Sequence, residues 1–447
     1  MTLAILGAGS VGTTLGAGFA RAGHAIVYGV RDPDAAKHAP LRAAGARVTT
    51  MAGAVEGADA VILATPWAAA EAALKAAGDL GGRPLLDATN PIGPGFALTH
   101  GHTDSGGEQV ARWAPSARVV KVFNTTGTEN MADPRYGAAR AAMFVCGDDA
   151  DACALAVGLA GDLGFQALRV GPLAKARVLE PAAMVWTQLA LALGNGRNIA
   201  LGVATRGSSE EAGVRPLTPA AAATETAPDA AAATETAPGP RLRVAILGHG
   251  HIGAGLGRAW ARAGHDVVFG ARNPEDAALA GLCAATGARA ATVAAATDGA
   301  DVVALAVPYG ALDDVLAAAG PLTGAVVIDC TNAVGPGMTL RLGHTTSAAE
   351  ALQARLPGAR VVKSFNAQGA ENLANPVYPL GVASNFYCGD DPAARAVVRG
   401  LVADVGFDPV DTGPLKNARY LEPLMLLWVS AAQGLATRDL AFRLLRR

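Results

Sequence analysis

Two stretches decide how this chain folds: "LAILGAGSVGTTLGAGFARAGHAIVYGVRDP" (residues 3–33) and "VAILGHGHIGAGLGRAWARAGHDVVFGARNP" (residues 244–274). Each begins with a short apolar run that closes on glycine, as a strand buried on both faces does. Each continues as a helical pattern that stops at a second glycine, then returns to an apolar run ending in arginine. The loop Gly7-Ala-Gly9-Ser10-Val11-Gly12 has its counterpart in Gly248-His-Gly250-His251-Ile252-Gly253. A GxGxxG loop between a strand and a helix is a dinucleotide-binding fingerprint. Its first glycine makes the tight turn, its second admits a pyrophosphate, and its third lets the helix approach the strand.

The likeness runs outward from these loops along both halves. Gly7 matches Gly248 and Arg31 matches Arg272 at an offset of 241, which becomes 242 further on. "DAVILATP" answers "DVVALAVP", "LLDATNPIGPG" answers "VIDCTNAVGPG", and "ARVVKVFNTTGTENMADP" answers "ARVVKSFNAQGAENLANP". Near each end "GPLAKARVLEPAAMVW" answers "GPLKNARYLEPLMLLW". One residue of slippage over a whole domain identifies a tandem duplication. Between the copies "AAAATETAP" occurs twice (220–228 and 230–238). Such a segment has no large apolar residues with which to build a core. The division expected is a first dinucleotide-binding domain (1–147), a small helical subdomain (148–206), a disordered linker (207–240), a second dinucleotide-binding domain (241–389) and a second helical subdomain (390–447). Apolar strands alternating with helices predict α/β architecture: two tandem Rossmann-type, doubly wound parallel sheets. The prolines of "RDPDAA" and "RNPEDAA" suggest helix starts, with Asp32 or Asn273 as N-cap.

Composition excludes several partner classes. The 447 residues carry 36 Lys and Arg against 38 Asp and Glu, a net charge of −2. This argues against nucleic acid or an anionic membrane as main partner. No apolar run is long enough for a transmembrane helix, and no signal peptide is read at the N-terminus. Five cysteines without CxxC spacing fit a reducing cytoplasm, and Cys146 and Cys388 read as buried strand residues. The partner expected is a small-molecule substrate. The linker is long enough for the two halves to pack as an intramolecular pseudo-dimer.

Several positions could carry the chemistry. Arg31 and Arg272 each stand 19 residues past the last loop glycine, where a guanidinium suits the 2′-phosphate of NADP and an acid would suit NAD. NADP(H) is therefore the cofactor expected. Thr65-Pro66 and Val307-Pro308 should flank the dinucleotide. Trp67 and Tyr309 either line that groove or cover the sheet edge. Asn90 and Asn332 stand at the C-terminal end of a strand, where ligands of open α/β sheets bind. His102 and His344, with Asn124 and Asn366, are candidates for a substrate cleft, or else loop residues without a role. Arg177/Glu180 and Arg419/Glu422 read as ion pairs along one helix face. No metal site is expected, because His100/His102 and His249/His251 have no completing ligands nearby. Nor is a catalytic side chain required, since in hydride transfer the cofactor carries the chemistry.

At "LGAGSVG…YGVR", "KVFNTTGTENMADP" and "GPLAKARVLEPAAMVW" each half resembles the coenzyme F420-dependent NADP reductases over nearly its whole length. That family in turn resembles the N-terminal domain of pyrroline-5-carboxylate reductases. The resemblance implies a Rossmann domain with a small helical part, NADP over the glycine loop, and direct hydride transfer between nicotinamide and deazaflavin F420. Carried over, Gly7, Gly9, Ser10, Val11, Gly12 and Arg31 would hold NADP. Gly248, Gly250, His251, Ile252, Gly253 and Arg272 would do so in the second copy. Val30 and Ala271 depart from the family, which commonly has a hydroxyl residue there. Two other readings stand beside this one. The first is an NADPH-dependent reductase of a small imine, carbonyl or biosynthetic intermediate. The second is a non-catalytic NADP(H)-binding protein, or one catalytic and one structural copy.

Overall fold

The computed structural model describes residues 1–206 and 240–447. Nearly all of the expected linker lies outside the described residues. In the first half, strand β1 (Thr2–Leu6) leads through the glycine loop into helix α1 (Ser10–Arg21). Strands β2 (Ala25–Gly29), β3 (Arg47–Thr49), β4 (Ala60–Leu63), β5 (Pro84–Asp87), β6 (Arg118–Lys121), β7 (Ala142–Gly147) and β8 (Gln166–Gly171) complete an eight-stranded sheet in the order β8-β7-β6-β5-β4-β1-β2-β3. All pairings are parallel except β6 with β7, so the last two strands run against the other six. Leu3, Ala4, Ile5 and Leu6 are fully buried. Helices on both faces require such a two-sided apolar strand. The chain reverses its strand order between β1 and β4, and ligands bind beyond the strand ends at such a switch point.

The second half repeats the plan. Strand β10 (Arg243–Leu247) and its neighbours form an eight-stranded sheet in the same order, again with one antiparallel step. Its edge strand on the tail side, Asp408–Asp411, corresponds to β8.

The tails differ from small helical subdomains. After α4 (Ala150–Asp162), strand β8 joins the main sheet, so the segment from residue 148 begins as part of the same layer. Only the following helix leaves it: α5 (Ala176–Thr187) in the first half, and Ala418–Gly434 in the second. Each helix is followed by a strand, β9 (Ile199–Thr205) or Leu440–Arg446, and these two strands pair with each other antiparallel from Ile199↔Arg446 to Thr205↔Leu440. The ribbon is sealed on both sides. Trp186 Nε1 and Asn130 Nδ2 donate to the Ile199 carbonyl, and Trp428 Nε1 and Asn372 Nδ2 donate to the Leu440 carbonyl. Phe442 of the second half meets Phe144 of the first edge-to-face, with ring centroids 6.1 Å apart. One apolar cluster therefore runs through both halves. No helix among the described residues is long and apolar enough to cross a membrane.

The N-cap reading of the two Asx-Pro turns is corrected. Asp32 Oδ1 accepts from the Asp34 N–H and Asn273 Oδ1 from the Glu275 N–H, so both close a turn instead of opening a helix. In the second copy the helix starts later, capped by Asp276, which accepts from Ala278 and Leu279.

Candidate functional site: two grooves above the sheets

The two outer glycines of each loop are explained by the protein itself. Gly7 has φ +109°, and a Cβ there would lie 2.7 Å from the Ala64 carbonyl oxygen. A Cβ on Gly12 would lie 2.1 Å from the Gly7 carbonyl oxygen. Gly248 and Gly253 repeat both constraints. The middle glycine is different. Gly9 has φ −84° and Gly250 φ −69°, values open to any residue, and a Cβ on either would meet nothing within 4 Å. Glycine is thus unnecessary there for folding, yet it keeps a space clear.

That space opens at a helix N-terminus. Gly9 caps α1 without a side-chain bond, and the first intrahelical bond is from Thr13 N–H to Gly9 O. The N–H groups of Ser10, Val11 and Gly12 precede it and have no acceptor within the helix. Free donors at the positive end of a helix dipole, with room in front, suit a phosphate.

The grooves continue from the loops along the ends of the strands. The first, of about 700 Å³, is lined by Gly7, Gly9, Arg31, Asp32, Lys37, Thr65 and Pro66. The second, of about 440 Å³, is lined by Gly248, Gly250, Arg272, Val307 and Pro308. Lys37 escaped the sequence reading because nothing in its local pattern marks it, and Ala278 stands at the corresponding place. The Thr65 hydroxyl is buried and has no partner among the described residues. The second groove faces two acids, Asp276 and Asp314, against Asp32 alone in the first, and His249 Nε2 lies 3.9 Å from Asp276. His251 faces a neighbouring hollow with Arg258, Arg262 and Arg438. The grooves thus differ in charge as well as volume.

Asn90 and Asn124 sit outside the groove lining and bond to one another. Asn90 Nδ2 donates to the Asn124 carbonyl at 2.8 Å, and Asn124 Nδ2 donates to Asn90 Oδ1 at 3.1 Å. Asn124 also donates to the Leu179 carbonyl of α5. Asn332, Asn366 and Leu421 repeat this set. In both copies the Oδ1 of the second asparagine is buried and has no partner among the described residues. The preceding residue, Phe123 or Phe365, is buried with φ +63° or +59°. A bulky residue rarely adopts this conformation, and it is kept only where the surroundings enforce it.

A buried ion cluster overturns the expected i,i+3 pairing. Glu180 does not meet Arg177. It lies 2.9 Å from Lys121 Nζ, whose other partner is Asp87 at 2.8 Å. Lys121 and Asp87 are 0% exposed and Glu180 1%. Glu180 also accepts the N–H groups of Gly106 and Gly107, the first of helix α3 (Gly106–Trp113), so one carboxylate joins α5, α3 and the sheet. Arg177 turns the other way and forms a bidentate pair with Glu108. Burial alone would lower the Lys121 ammonium, but Asp87 and Glu180 outweigh it and raise it. Burial pushes Glu180 upward against the pull of Lys121. Lys363, Asp329 and Glu422 repeat the cluster, and Arg419 pairs with Glu350. His102 and His344 lie in neither groove; both line a cavity where the halves meet.

Comparison with known proteins adds to this geometry. The family model described as "NADP oxidoreductase coenzyme F420-dependent" matches residues 2–91 and again 243–333, corresponding places in the two copies. Metalloreductase STEAP3 of Rattus norvegicus is 34% identical over 188 residues, covering 41% of this chain and 37% of the relative. The chain thus spans little more than a third of that protein's length. A solved structure from Arthrobacter sp. FB24, provisionally assigned as an F420 dependent NADP-reductase, is 30% identical. The match covers 44% of this chain and 96% of that one, with a TM-score of 0.42. A hypothetical protein from Sinorhizobium meliloti, SMa0349, is 32% identical, covering 39% and 86%, with a TM-score of 0.36.

Proposed function

Both halves of this chain belong to the family of F420-dependent NADP oxidoreductases, in tandem duplication, and on that premise we propose that the protein exchanges hydride between NADPH and the deazaflavin coenzyme F420. The observation that carries the dinucleotide part is the middle glycine of each loop. Neither Gly9 nor Gly250 is required by its φ or by a neighbour, and each keeps clear the space before a helix N-terminus. Pyrophosphate on the free N–H groups gives that glycine its purpose.

The remaining residues take roles consistent with this. Arg31, with Lys37 in the first groove, would bind the 2′-phosphate, and Arg272 would do so alone in the second. When bound, NADPH supplies the hydride from its nicotinamide ring, so no side chain need act as nucleophile or acid. The Asn90–Asn124 pair offers a carbonyl oxygen, unpaired among the described residues, to an amide donor, and the pair is held by its mutual bonds and by the Leu179 carbonyl. The protein's work is alignment and exclusion of water.

The unequal grooves favour a division of labour as a second reading. With Lys37 absent and two acids, Asp276 and Asp314, where the first groove has only Asp32, the second groove is less favourable to a 2′-phosphate. The first half is then the principal NADPH site. We further propose that the halves act as an intramolecular pseudo-dimer, supported by the Ile199–Thr205/Leu440–Arg446 ribbon and the shared apolar cluster.

The test is to change the middle glycines separately. Gly9→Val and Gly250→Val should each remove one NADPH site in calorimetric titration with little change in thermal unfolding, since a Cβ at either position meets nothing within 4 Å. Undiminished NADPH binding in both variants would refute the assignment.

A further inference from the structure

Where the halves meet, the loops after the fifth strand of each sheet face each other across a cavity of about 290 Å³. Both halves build it at matching positions, among them His102 and His344, Arg177 and Arg419, and Pro181 and Pro423. None of its lining residues belongs to either dinucleotide groove.

Both histidines are held in the left-handed backbone region, at φ +62° and +61°. Such strain in a non-glycine residue persists only where packing enforces it, and it concentrates at functional sites. Here the packing is reciprocal. A Cβ on Gly101 would lie 2.8 Å from His344 Nδ1, and one on Gly343 would lie 2.9 Å from His102 Nδ1. Each ring is seated against the other half's glycine, so the cavity exists only when the halves are docked.

The charge around it is unbalanced. Arg177 and Arg419 are neutralised by bidentate pairs with Glu108 and Glu350. Lys175 also lines the cavity and is half-buried, but among the described residues its ammonium has no carboxylate partner. Burial lowers its pKa. Its counterpart Asn417 is neutral, buried and not part of the lining. The rest of the wall is largely apolar, including Leu98, Val178, Tyr420 and Leu426. The His102 and His344 rings add polar edges, and a mostly apolar cavity with a few polar groups is the common form of a small-molecule site.

We propose that this cavity binds a small organic anion, with an apolar ring-sized body between Pro181 and Pro423 and its carboxylate on Lys175. The site is a third one, single in each chain, and it does not rest on the hydride-transfer reading. An anion on Lys175 completes the only cavity-lining cation that lacks a partner among the described residues. A neutral ligand of the same shape would leave it unmatched.

The experiment uses 2-naphthoate as probe in calorimetric titration of the full chain, with and without saturating NADPH. One binding event per chain is expected, unchanged by NADPH. Lys175→Met should weaken it by about tenfold or more, as loss of a charge-assisted bond does, and Lys175→Arg should restore most of it. The uncharged 2-naphthamide should not distinguish wild type from Lys175→Met. The proposal is overturned by an absence of 2-naphthoate binding at millimolar concentration, by equal affinity of Lys175→Met, or by displacement with NADPH, which would put the probe in the grooves.

Discussion

Replacing Lys121 by methionine separates the electrostatic role of the buried cluster from its packing role. Methionine keeps the apolar stem and nearly the volume but removes the charge that lies 2.8 Å from Asp87 and 2.9 Å from Glu180. Both carboxylates are then buried without a counter-ion. Glu180 keeps its two backbone donors and Asp87 keeps the Thr89 N–H and hydroxyl, which temper the loss. Removing one partner of a buried ion pair costs about 3–5 kcal/mol, and that range is expected here. The sign of the pH dependence follows. Burial already raises the Glu180 carboxyl, and loss of Lys121 raises it further. A carboxyl whose folded pKa exceeds its unfolded one favours folding when protonated. Stability is therefore lost as pH rises through the folded value, and the deficit should be smaller in mild acid than at neutrality. Urea unfolding at both pH values measures this. The triple variant Lys121→Met/Asp87→Asn/Glu180→Gln, which buries no charge, should recover most of the loss. A Lys121→Met deficit below about 1 kcal/mol, or one that grows on acidification, would refute the reasoning.

Other consequences follow from the same geometry. Arg31→Ala should weaken NADPH binding roughly ten- to a hundredfold, as loss of a charged hydrogen bond of about 1.5–3 kcal/mol implies, and leave NADH nearly unchanged; equal losses for both would remove the 2′-phosphate argument. Lys37→Ala should add to that loss in the first groove, whereas Ala278→Lys should strengthen NADPH binding in the second, both read by titration of the Gly250→Val and Gly9→Val backgrounds. Phe442→Ala removes a buried ring that meets Phe144 across the seam. It should cost about 3–5 kcal/mol in denaturant unfolding, and a change under 1 kcal/mol would show that the seam contributes little.

The parts of this fold that were legible were local. The strand–glycine–helix pattern gave β1, α1 and β2, and the repeat gave the second sheet without further inference. What escaped depended on distant partners or on orientation. Glu180 stands three residues from Arg177, a spacing that allows a pair along the helix. Its side chain faces the interior instead, where its partners are Lys121 and the N–H groups of Gly106 and Gly107, far away in sequence. Repetition held a clue: Asp87, Lys121 and Glu180 all recur as Asp329, Lys363 and Glu422, and three charged residues in otherwise apolar strands and helices must be paired if buried. The tails were misjudged for a related reason. Strand β8 is only partly apolar, so its membership of the sheet depends on its neighbour β7. The histidines could be marked from sequence as shared features, but the contact of each with the other half's glycine has no local signature.

The central claim is tested most directly by mixing the purified chain with NADPH and oxidised F420 and following the deazaflavin absorbance. The account expects the absorbance to fall as F420 is reduced, at a rate lowered by Gly9→Val and abolished when Gly9→Val and Gly250→Val are combined. An unchanged absorbance, from protein that titration shows to be saturated with NADPH, would contradict it.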